Sequence, residues 1–411
     1  MNRNAILITI LVMSTAASLS HRACAASFGD DAAFLKSHTE LIVLSDEKGL
    51  AQVAVAPAWQ GRVMTSTAGA DAGPSFGWIN RELIASGKLL PHMNAFGGED
   101  RFWLGPEGGQ FSVFFAKGAK FEFADWFTPA AFDTLPFKVA SQSRDRAVFT
   151  SEFTLTNYSG TRFEVAVNRE VRLLGTEAAW RKLGVKPSGE VSLVAYETDN
   201  KITNAGKQAW KKDTGLLSIW ILGMFTPSPS ATIVVPIKSG PESTLGVKVT
   251  SDYFGTVPPE RLVVNPLATD DVIYFCADGK YRSKIGINPK RSKAVSGSYD
   301  ADNKVLTIAQ YNVPAGVTDY VNSLWKLQDN PYGGDAANCY NDGPPAPGEK
   351  PMGPFFELES SSPAAALAPG KSLSHVHRTI HLSGPESALD SVARATLGVS
   401  IADIKAGLKN R

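Results

Sequence analysis

Two stretches decide the fold of this chain: Met352-Gly-Pro-Phe-Phe-Glu-Leu-Glu-Ser-Ser-Ser-Pro363 and Leu373-Ser-His-Val-His-Arg-Thr-Ile-His-Leu382. Each predicts a β-strand, because polar and apolar residues alternate and successive side chains of a strand point to opposite faces. The polar faces carry Glu357 and Glu359 in the first strand, and His375, His377 and His381 in the second. If the strands are neighbours in one sheet, two carboxylates and up to three imidazoles line a single polar face.

Three interpretations of this polar face remain open. A carboxylate base, Glu359 or Glu357, with an imidazole partner such as His377 would transfer protons to and from a substrate. Alternatively, His375 and His377 present two imidazoles on one side of a strand, which suits zinc if a glutamate joins them. The third interpretation is a solvated sheet face, on which Glu and His are ordinary residues.

The first 25 residues have the pattern of a secretory signal peptide. Met1-Asn-Arg-Asn carries positive charge, residues 5–17 form an apolar core, and Ala23-Cys-Ala25 matches an A-x-A cleavage site. The apolar core is too short to span a bilayer, and no other apolar run is long enough. We therefore expect a periplasmic or secreted protein whose mature chain, residues 26–411, is one large domain without a membrane span.

Composition argues against a nucleic-acid partner. Lys and Arg number 41 and Asp and Glu 40, so the net charge is +1, and the two signs are interspersed along the chain. A basic stripe, which a phosphate backbone requires, is missing from the sequence. The mature chain keeps two cysteines, Cys276 and Cys339, which either pair or remain buried thiols.

Strand-like segments follow one another with few helical segments between them. Strands are predicted at 41–44, 51–56, 110–115, 147–156, 162–174, 191–197, 216–222, 231–237, 247–251, 261–264, 271–276, 304–311 and 323–327. Short helices are predicted at 30–38, 78–86 and 385–397, and a capping box at Ser400 begins a last one. This pattern predicts an all-β fold, a large antiparallel β-sandwich with a few short helices that include a C-terminal one.

A second candidate site lies in residues 92–110, where glycines, carboxylates and aromatic residues are mixed. Sugar sites need a flat aromatic ring under the pyranose and charged partners for its hydroxyls. Trp103, Arg101 and Glu107 supply those groups, and His92 could exchange a proton. The alternative is a structural corner in which Trp103 is buried in the core and Arg101 pairs with a neighbouring carboxylate.

Two further segments could contribute to the rim of such a site. Residues 333–343 contain oxygen donors of the kind that hold Ca²⁺, among them Asn341 and Asp342, although Asx-turn chemistry in a tight loop also accounts for them. Arg282 and Lys284 fall on one face of a predicted strand and could contact an acidic sugar, or they are surface charges.

The order of these motifs resembles that in galactose mutarotase-like (aldose 1-epimerase-like) proteins. It looks most like a secreted subgroup of that superfamily. The resemblance rests on Glu357-Leu-Glu-Ser360, the turn Leu367-Ala-Pro-Gly-Lys371 before a closing strand, and the mid-chain turn Asn204-Ala-Gly206. It implies a large twisted β-sandwich, the supersandwich, with a sugar cleft on a concave sheet face and with Glu359 as the base.

The resemblance fails at one position. The family's acid is a mid-chain histidine, whereas this chain has no histidine between His92 and His375, and the corresponding stretch is Leu217-Ser-Ile-Trp220. His92, His375 or His377 would have to replace it, or the chemistry differs.

We therefore expect a carbohydrate-active protein of epimerase or mutarotase type, with mono- or oligosaccharides as its partners. A non-catalytic carbohydrate-binding protein, or a glycoside hydrolase or lyase that uses paired carboxylates, is the alternative. We expect no cofactor, with Ca²⁺ or Zn²⁺ left open.

Overall fold

The computed structural model describes residues 26–267, 269–346 and 348–408. Within these ranges the chain forms eighteen β-strands and six short α-helices. The strands are β1 Ile42–Ser45, β2 Gln52–Ala56, β3 Arg62–Thr67, β4 Arg101–Gly105, β5 Lys138–Gln142, β6 Arg146–Thr156, β7 Arg162–Leu173, β8 Ser192–Asn204, β9 Ser218–Phe225, β10 Ala231–Lys238, β11 Leu262–Pro266, β12 Asp270–Cys276, β13 Ser283–Ile287, β14 Val295–Asp300, β15 Val305–Tyr311, β16 Ala337–Asn341, β17 Phe356–Ser361 and β18 Ser372–Ser383. The helices are α1 Phe28–Lys36, α2 Arg81–Ser86, α3 Thr176–Leu183, α4 Glu242–Leu245, α5 Glu386–Leu397 and α6 Ile401–Ala406.

The strands form three antiparallel sheets. The largest has ten strands in the order β11-β12-β10-β14-β15-β18-β8-β7-β6-β5, the second has five in the order β13-β16-β17-β9-β4, and the third is β1-β2-β3. Apolar residues of the ten-stranded and five-stranded sheets pack in common clusters, in which Phe356 and Leu358 of β17 join Ile233 of β10 and Phe275 of β12. The expected all-β sandwich is therefore confirmed.

Helices cover the outer face of the ten-stranded sheet. Trp180 of α3, Val392 of α5 and Ile404 of α6 pack in one buried cluster with Ile380 and Leu382 of β18. The predicted C-terminal helix is confirmed as α5, and the predicted capping box at Ser400 opens α6. No helix within the described ranges is long and apolar enough to cross a membrane.

Most strand predictions are confirmed, but three are wrong. Residues 110–115, 247–251 and 323–327 form no strand. In the first, the Ser112 hydroxyl accepts bonds from the backbone N–H groups of Phe114 and Phe115, and such local bonds replace a strand ladder. Conversely, residues 337–341 form a strand, β16, inside the segment 333–343 for which a tight loop was one interpretation. They form a strand because β13 and β17 pair with them on both sides. The predicted signal peptide lies outside the described residues.

Strands β17 and β18, which carry the glutamates and the histidines of the predicted polar face, belong to different sheets. β17 pairs with β9 and β16, whereas β18 pairs with β8 and β15. The segment 362–371 between them is long enough to carry the chain from one sheet to the other. A single polar face shared by Glu357, Glu359 and the histidines is therefore excluded.

Candidate functional site

A cleft of about 400 Å³ lies against the outward face of the five-stranded sheet. Because side chains alternate along a strand, Phe102 and Leu358 enter the core while their neighbours face the cleft. The lining residues come from all five strands of the sheet and from the loops around it: Asn80, Leu83, Leu90, Pro91, His92, Met93, Ala95, Arg101, Trp103, Glu107, Phe123, Trp126, Trp220, Leu222, Met224, Phe254, Arg282, Lys284, Trp325, Tyr340, Met352 and Glu357.

A buried ion pair stands at the wall of the cleft. The Arg101 guanidinium donates through Nη2 to Oε1 of Glu357, and the two side chains are 2% and 7% exposed. The guanidinium carbon also lies 5.0 Å from the ring centroid of Trp103, at a distance suited to a cation–π contact. Nε and Nη1 of Arg101 have no hydrogen-bond partner among the described residues. The pair therefore places one oriented carboxyl group at the cleft surface.

Glu359 lies beneath that surface and is not a lining residue. The Trp220 indole N–H donates to its Oε2 over 2.8 Å, and Lys284 Nζ donates to the same oxygen over 3.0 Å. Lys284 Nζ also lies 4.7 Å from the ring centroid of Trp220. Oε1 of Glu359 is buried and has no partner among the described residues. Glu359 thus anchors two residues of the cleft wall, Trp220 and Lys284.

Three carboxyl groups and three cations lie close together in this region. Glu357 pairs with Arg101, Glu359 pairs with Lys284, and Glu107 lies in the field of Lys284 and Arg282. Burial raises the pKa of Glu107, and the Glu359 carboxylate adds to the effect while Lys284 opposes it. Burial also raises the pKa of Glu357, against the opposing charge of Arg101. At least one carboxyl group therefore retains its proton closer to neutral pH than a solvated glutamate does.

Lys284 remains a cation in this setting. Burial by itself would lower the pKa of Lys284, but the carboxylates of Glu359, Glu107 and Glu357 outweigh that effect and hold the pKa above its ordinary value. A charged ammonium beside an indole ring can donate hydrogen bonds to a ligand oxygen.

His92 contributes the one imidazole of the lining. Its Nδ1 lies 2.6 Å from the carbonyl oxygen of Trp126, and its ring stacks on Phe127 at 4.5 Å between centroids. A nitrogen that contacts a carbonyl oxygen must donate, so Nδ1 carries the proton and Nε2 of the neutral ring is an acceptor. His92 can therefore take up a proton at Nε2.

Four tryptophans give the cleft an aromatic lining. Trp103 and Trp220 meet edge to face with ring centroids 5.5 Å apart, and Trp126 stacks on Trp325 at 5.8 Å. Such rings offer flat apolar faces, and their N–H groups can bind polar atoms. The lining therefore combines aromatic platforms with a small number of charged groups, a composition typical of ligand sites.

Of the residues named from the sequence, the structure brings seven together at the cleft. These are His92, Arg101, Trp103, Glu107, Arg282, Lys284 and Glu357. Arg282 lies at the mouth, with its guanidinium carbon 4.0 Å from the ring centroid of Phe254. Glu359 lies directly behind the wall.

His375 and His377 do not reach the cleft. They point into the sandwich from β18, where Nε2 of His375 and Nδ1 of His377 each lie 2.8 Å from the Ser360 hydroxyl. Ser360 is on the inward face of β17, opposite Glu357 and Glu359. Burial lowers the pKa of His375 to about 3 and that of His377 to about 4, so both rings are neutral at ordinary pH. The predicted meeting of these imidazoles with the glutamates is therefore wrong, because the two strands belong to opposite sheets.

Asn341 and Asp342 also lie outside the cleft lining. Asn341 accepts a bond of 2.9 Å from the Gly279 backbone N–H, and Asp342 accepts bonds from the Tyr340 hydroxyl at 2.8 Å and the Gly353 backbone N–H at 2.9 Å. The two bonds from backbone N–H groups join separate segments, across 62 positions for Asn341 and 11 for Asp342, so they are neither the Asx-turn bonds of a tight loop nor contacts to an ion. Among the described residues, no group of three His, Cys, Asp or Glu is placed to hold a metal ion. Cys276 and Cys339 are buried and do not form a disulfide.

Sequence reasoning did not find the tryptophans at 126, 220 and 325 as site residues. β9 is buried on both faces, so Ser218–Phe225 shows no alternation that would identify an outward Trp220. Trp126 and Trp325 come from loops, whose placement has no sequence period. The sequence signal that could have identified Trp220 was the departure from the family pattern at Leu217-Ser-Ile-Trp220. Trp220 lies on β9, a strand that lines the cleft.

Comparison with known proteins places the chain beside one family and several solved structures. Residues 26–408 match the model of DUF6786, a family of unknown function, and no curated protein matches the sequence. Similar structures include the Slr1438 protein of Synechocystis sp. PCC 6803, at 13% identity and a TM-score of 0.46, over 84% of this chain and 96% of that one. A galactose mutarotase-like protein of Lactobacillus casei ATCC 334 has 10% identity and a TM-score of 0.43, over 84% and 100%. A galactose mutarotase related enzyme of Lactobacillus acidophilus has 8% identity and a TM-score of 0.42, over 84% and 97%.

Proposed function

We propose that this chain, which belongs to the DUF6786 family of unknown function, binds a sugar in the cleft and performs acid/base chemistry on it with Glu357. The observation that carries the proposal is the buried Arg101–Glu357 pair in an aromatic cleft. The pair stands beside two more carboxyl groups, Glu107 and Glu359, and beside the cations Lys284 and Arg282.

Sugar binding is supported by the chemistry of the lining. A pyranose has an apolar face of C–H groups, which suits a tryptophan ring, and an edge of hydroxyls, which needs charged or polar partners. Trp103 and Trp220 supply the rings, and Lys284 and Glu357 supply a donor and an oxygen within the same wall. The four residues lie on four strands of one sheet, β4, β9, β17 and β13, so their positions are held by the sheet.

Acid/base chemistry is supported by the carboxyl groups of Glu107 and Glu357, whose pKa values are raised by burial. A carboxyl group that keeps its proton can donate it to a ring or glycosidic oxygen, and a second, ionised one can take a proton from a hydroxyl. Glu357 is the donor in this proposal, because it faces the cleft and its pKa is raised by burial. Glu107 or Nε2 of His92 is the acceptor. Glu359, predicted from the sequence as the base, acts in this proposal as a positioning residue through Trp220 and Lys284, and the base is instead Glu107 or His92.

The test is the substitution Glu357→Gln, which keeps the shape of the side chain but removes its titratable proton. A panel of reducing sugars and glycosides is followed by NMR for anomeric exchange and bond cleavage, and by thermal shift for binding. We expect a fall in rate of about 10²–10⁴-fold with the thermal shift retained, which is the range for one positioned acid or base. Glu190→Gln, an exposed glutamate in the loop before β8, is the matched control.

Two results would separate the alternatives. An unchanged rate in Glu357→Gln would remove the acid/base assignment. Thermal shifts with no turnover on any sugar would favour a non-catalytic carbohydrate-binding protein, the second candidate, which the missing mid-chain histidine also favours.

A further inference from the structure

The mouth of the cleft is surrounded by exposed hydrophobic side chains. Leu90, Phe123, Phe254 and Met352 line the cleft and are 48%, 59%, 42% and 43% exposed. Phe127 stacks on the lining residue His92, so five of the twelve large hydrophobic side chains exposed in the described part of the chain lie at this mouth. The four lining residues come from four separate loops. A feature built from separate loops is a property of the folded surface and not of one apolar segment.

This rim is unlike the ordinary surface of a folded protein. Exposed hydrophobic residues are usually scattered singly, and a contiguous group marks a surface that a ligand or partner covers. Leucine, phenylalanine and methionine side chains offer no hydrogen-bonding N–H or oxygen. A sugar hydroxyl placed against them would lose its bonds to water without replacement. The rim is therefore matched to an apolar group.

The floor of the same cleft has the opposite character. Arg101, Lys284 and Glu357 project from strands of the five-stranded sheet, and each is buried. A ligand that contacts both floor and rim must be polar at one end and apolar at the other.

We propose that the natural ligand is a glycoside with an apolar aglycone, whose sugar occupies the floor and whose alkyl or aryl group lies on the rim. This inference rests on the proposed function, because it assigns the sugar to the same floor. It adds that a free reducing sugar fills only part of the site.

The test measures binding of n-alkyl glucosides and galactosides by calorimetry, from methyl to octyl, each below its micelle concentration. Burial of one methylene corresponds to about a fourfold gain in affinity. We expect a gain of that order per methylene until the rim is covered. Phenyl glycosides, measured beside the series, show whether an aromatic ring is preferred to a chain. In the double variant Phe123→Ser and Met352→Ser, both sites being exposed, the gain should fall to half or less. Leu50→Ser, 49% exposed and outside the cleft lining, should leave it unchanged.

The outcomes distinguish this inference from the proposed function. If sugars bind but affinity is the same at every chain length, the apolar aglycone is wrong and the sugar site stands. If n-alkyl ethers of ethylene glycol bind as tightly as the glycosides, the floor does not recognise sugar, and both proposals fail. If the protein sediments with phosphatidylcholine vesicles and gains nothing from soluble alkyl glycosides, the rim is a membrane-docking surface, and this inference is overturned.

Discussion

The buried histidine pair of β18 should make the fold sensitive to mild acid. His375 and His377 share the hydroxyl of Ser360 inside the sandwich and are 0% and 1% exposed. Nδ1 of His375 and Nε2 of His377 have no partner among the described residues, so an added proton would find no acceptor there. The perturbation is a change of pH from 8 to 5.

The magnitude follows from the difference between folded and unfolded pKa values. The folded pKa is about 3 for His375 and about 4 for His377, whereas the ordinary pKa of a solvated histidine is 6.5. Because the folded pKa values are lowered, the unfolded chain binds more protons as the pH falls below about 6.5, and stability is lost until the folded pKa values are passed. At pH 5 each histidine destabilises the fold by about 2 kcal/mol relative to pH 8, so the pair costs about 4 kcal/mol. That is a large fraction of a typical free energy of unfolding of about 5–15 kcal/mol.

The assay is urea unfolding followed by tryptophan fluorescence at pH 8, 7, 6 and 5. The double variant His375→Gln and His377→Gln is compared with the wild type, because the other titrating groups are common to both proteins. We expect the wild type to lose about 4 kcal/mol more than the double variant between pH 8 and pH 5. His38→Gln, at an exposed histidine, is the control and should behave as the wild type. Equal losses in wild type and double variant would refute the reasoning.

Four other outcomes are expected. Lys284→Met should destabilise the fold by about 3–5 kcal/mol in urea unfolding, because it leaves Glu359 as a buried charge without its cation; a loss below about 1 kcal/mol would contradict the ion pair. Gly353→Ala should cost about 1–3 kcal/mol in the same assay, since its Cβ would lie 2.0 Å from Cζ2 of Trp78, and an unchanged midpoint would show that the loop yields freely. The rate on a processed sugar should fall as pH rises through the raised pKa of Glu357, and Glu357→Gln should abolish that alkaline limb; a limb that persists in the variant belongs to another group. Incubation with EDTA should leave the thermal midpoint unchanged, because the described residues place no metal-binding cluster; a fall reversed by Ca²⁺ or Zn²⁺ would show a site.

Predictions from the sequence were accurate where local chemistry decides the outcome. The alternation in β17 and β18 correctly identified which side chains share one face of each strand, because the period of a strand is a property of its own backbone, but it did not show that the histidine face of β18 points into the sandwich. Pro385 and Gly398 bounded α5, and Ser400 with Asp403 formed the predicted capping box. The predictions failed where pairing with distant strands decides, as in residues 337–341, which form β16 because β13 and β17 pair with them on both sides.

From residue patterns alone, this protein could be recognised as an all-β chain with short C-terminal helices. The same patterns named Arg101, Glu107 and Glu357 as groups that could bind a sugar or transfer a proton. The three-dimensional arrangement was needed to show which of these polar groups contact each other. Strand period shows the face on which a side chain lies, but not the sheet to which the strand belongs, because pairing is set by contacts between residues distant in the chain. For that reason Glu357 joined Arg101 at a cleft wall, across 256 positions of sequence, while His375 and His377 were buried in the opposite sheet.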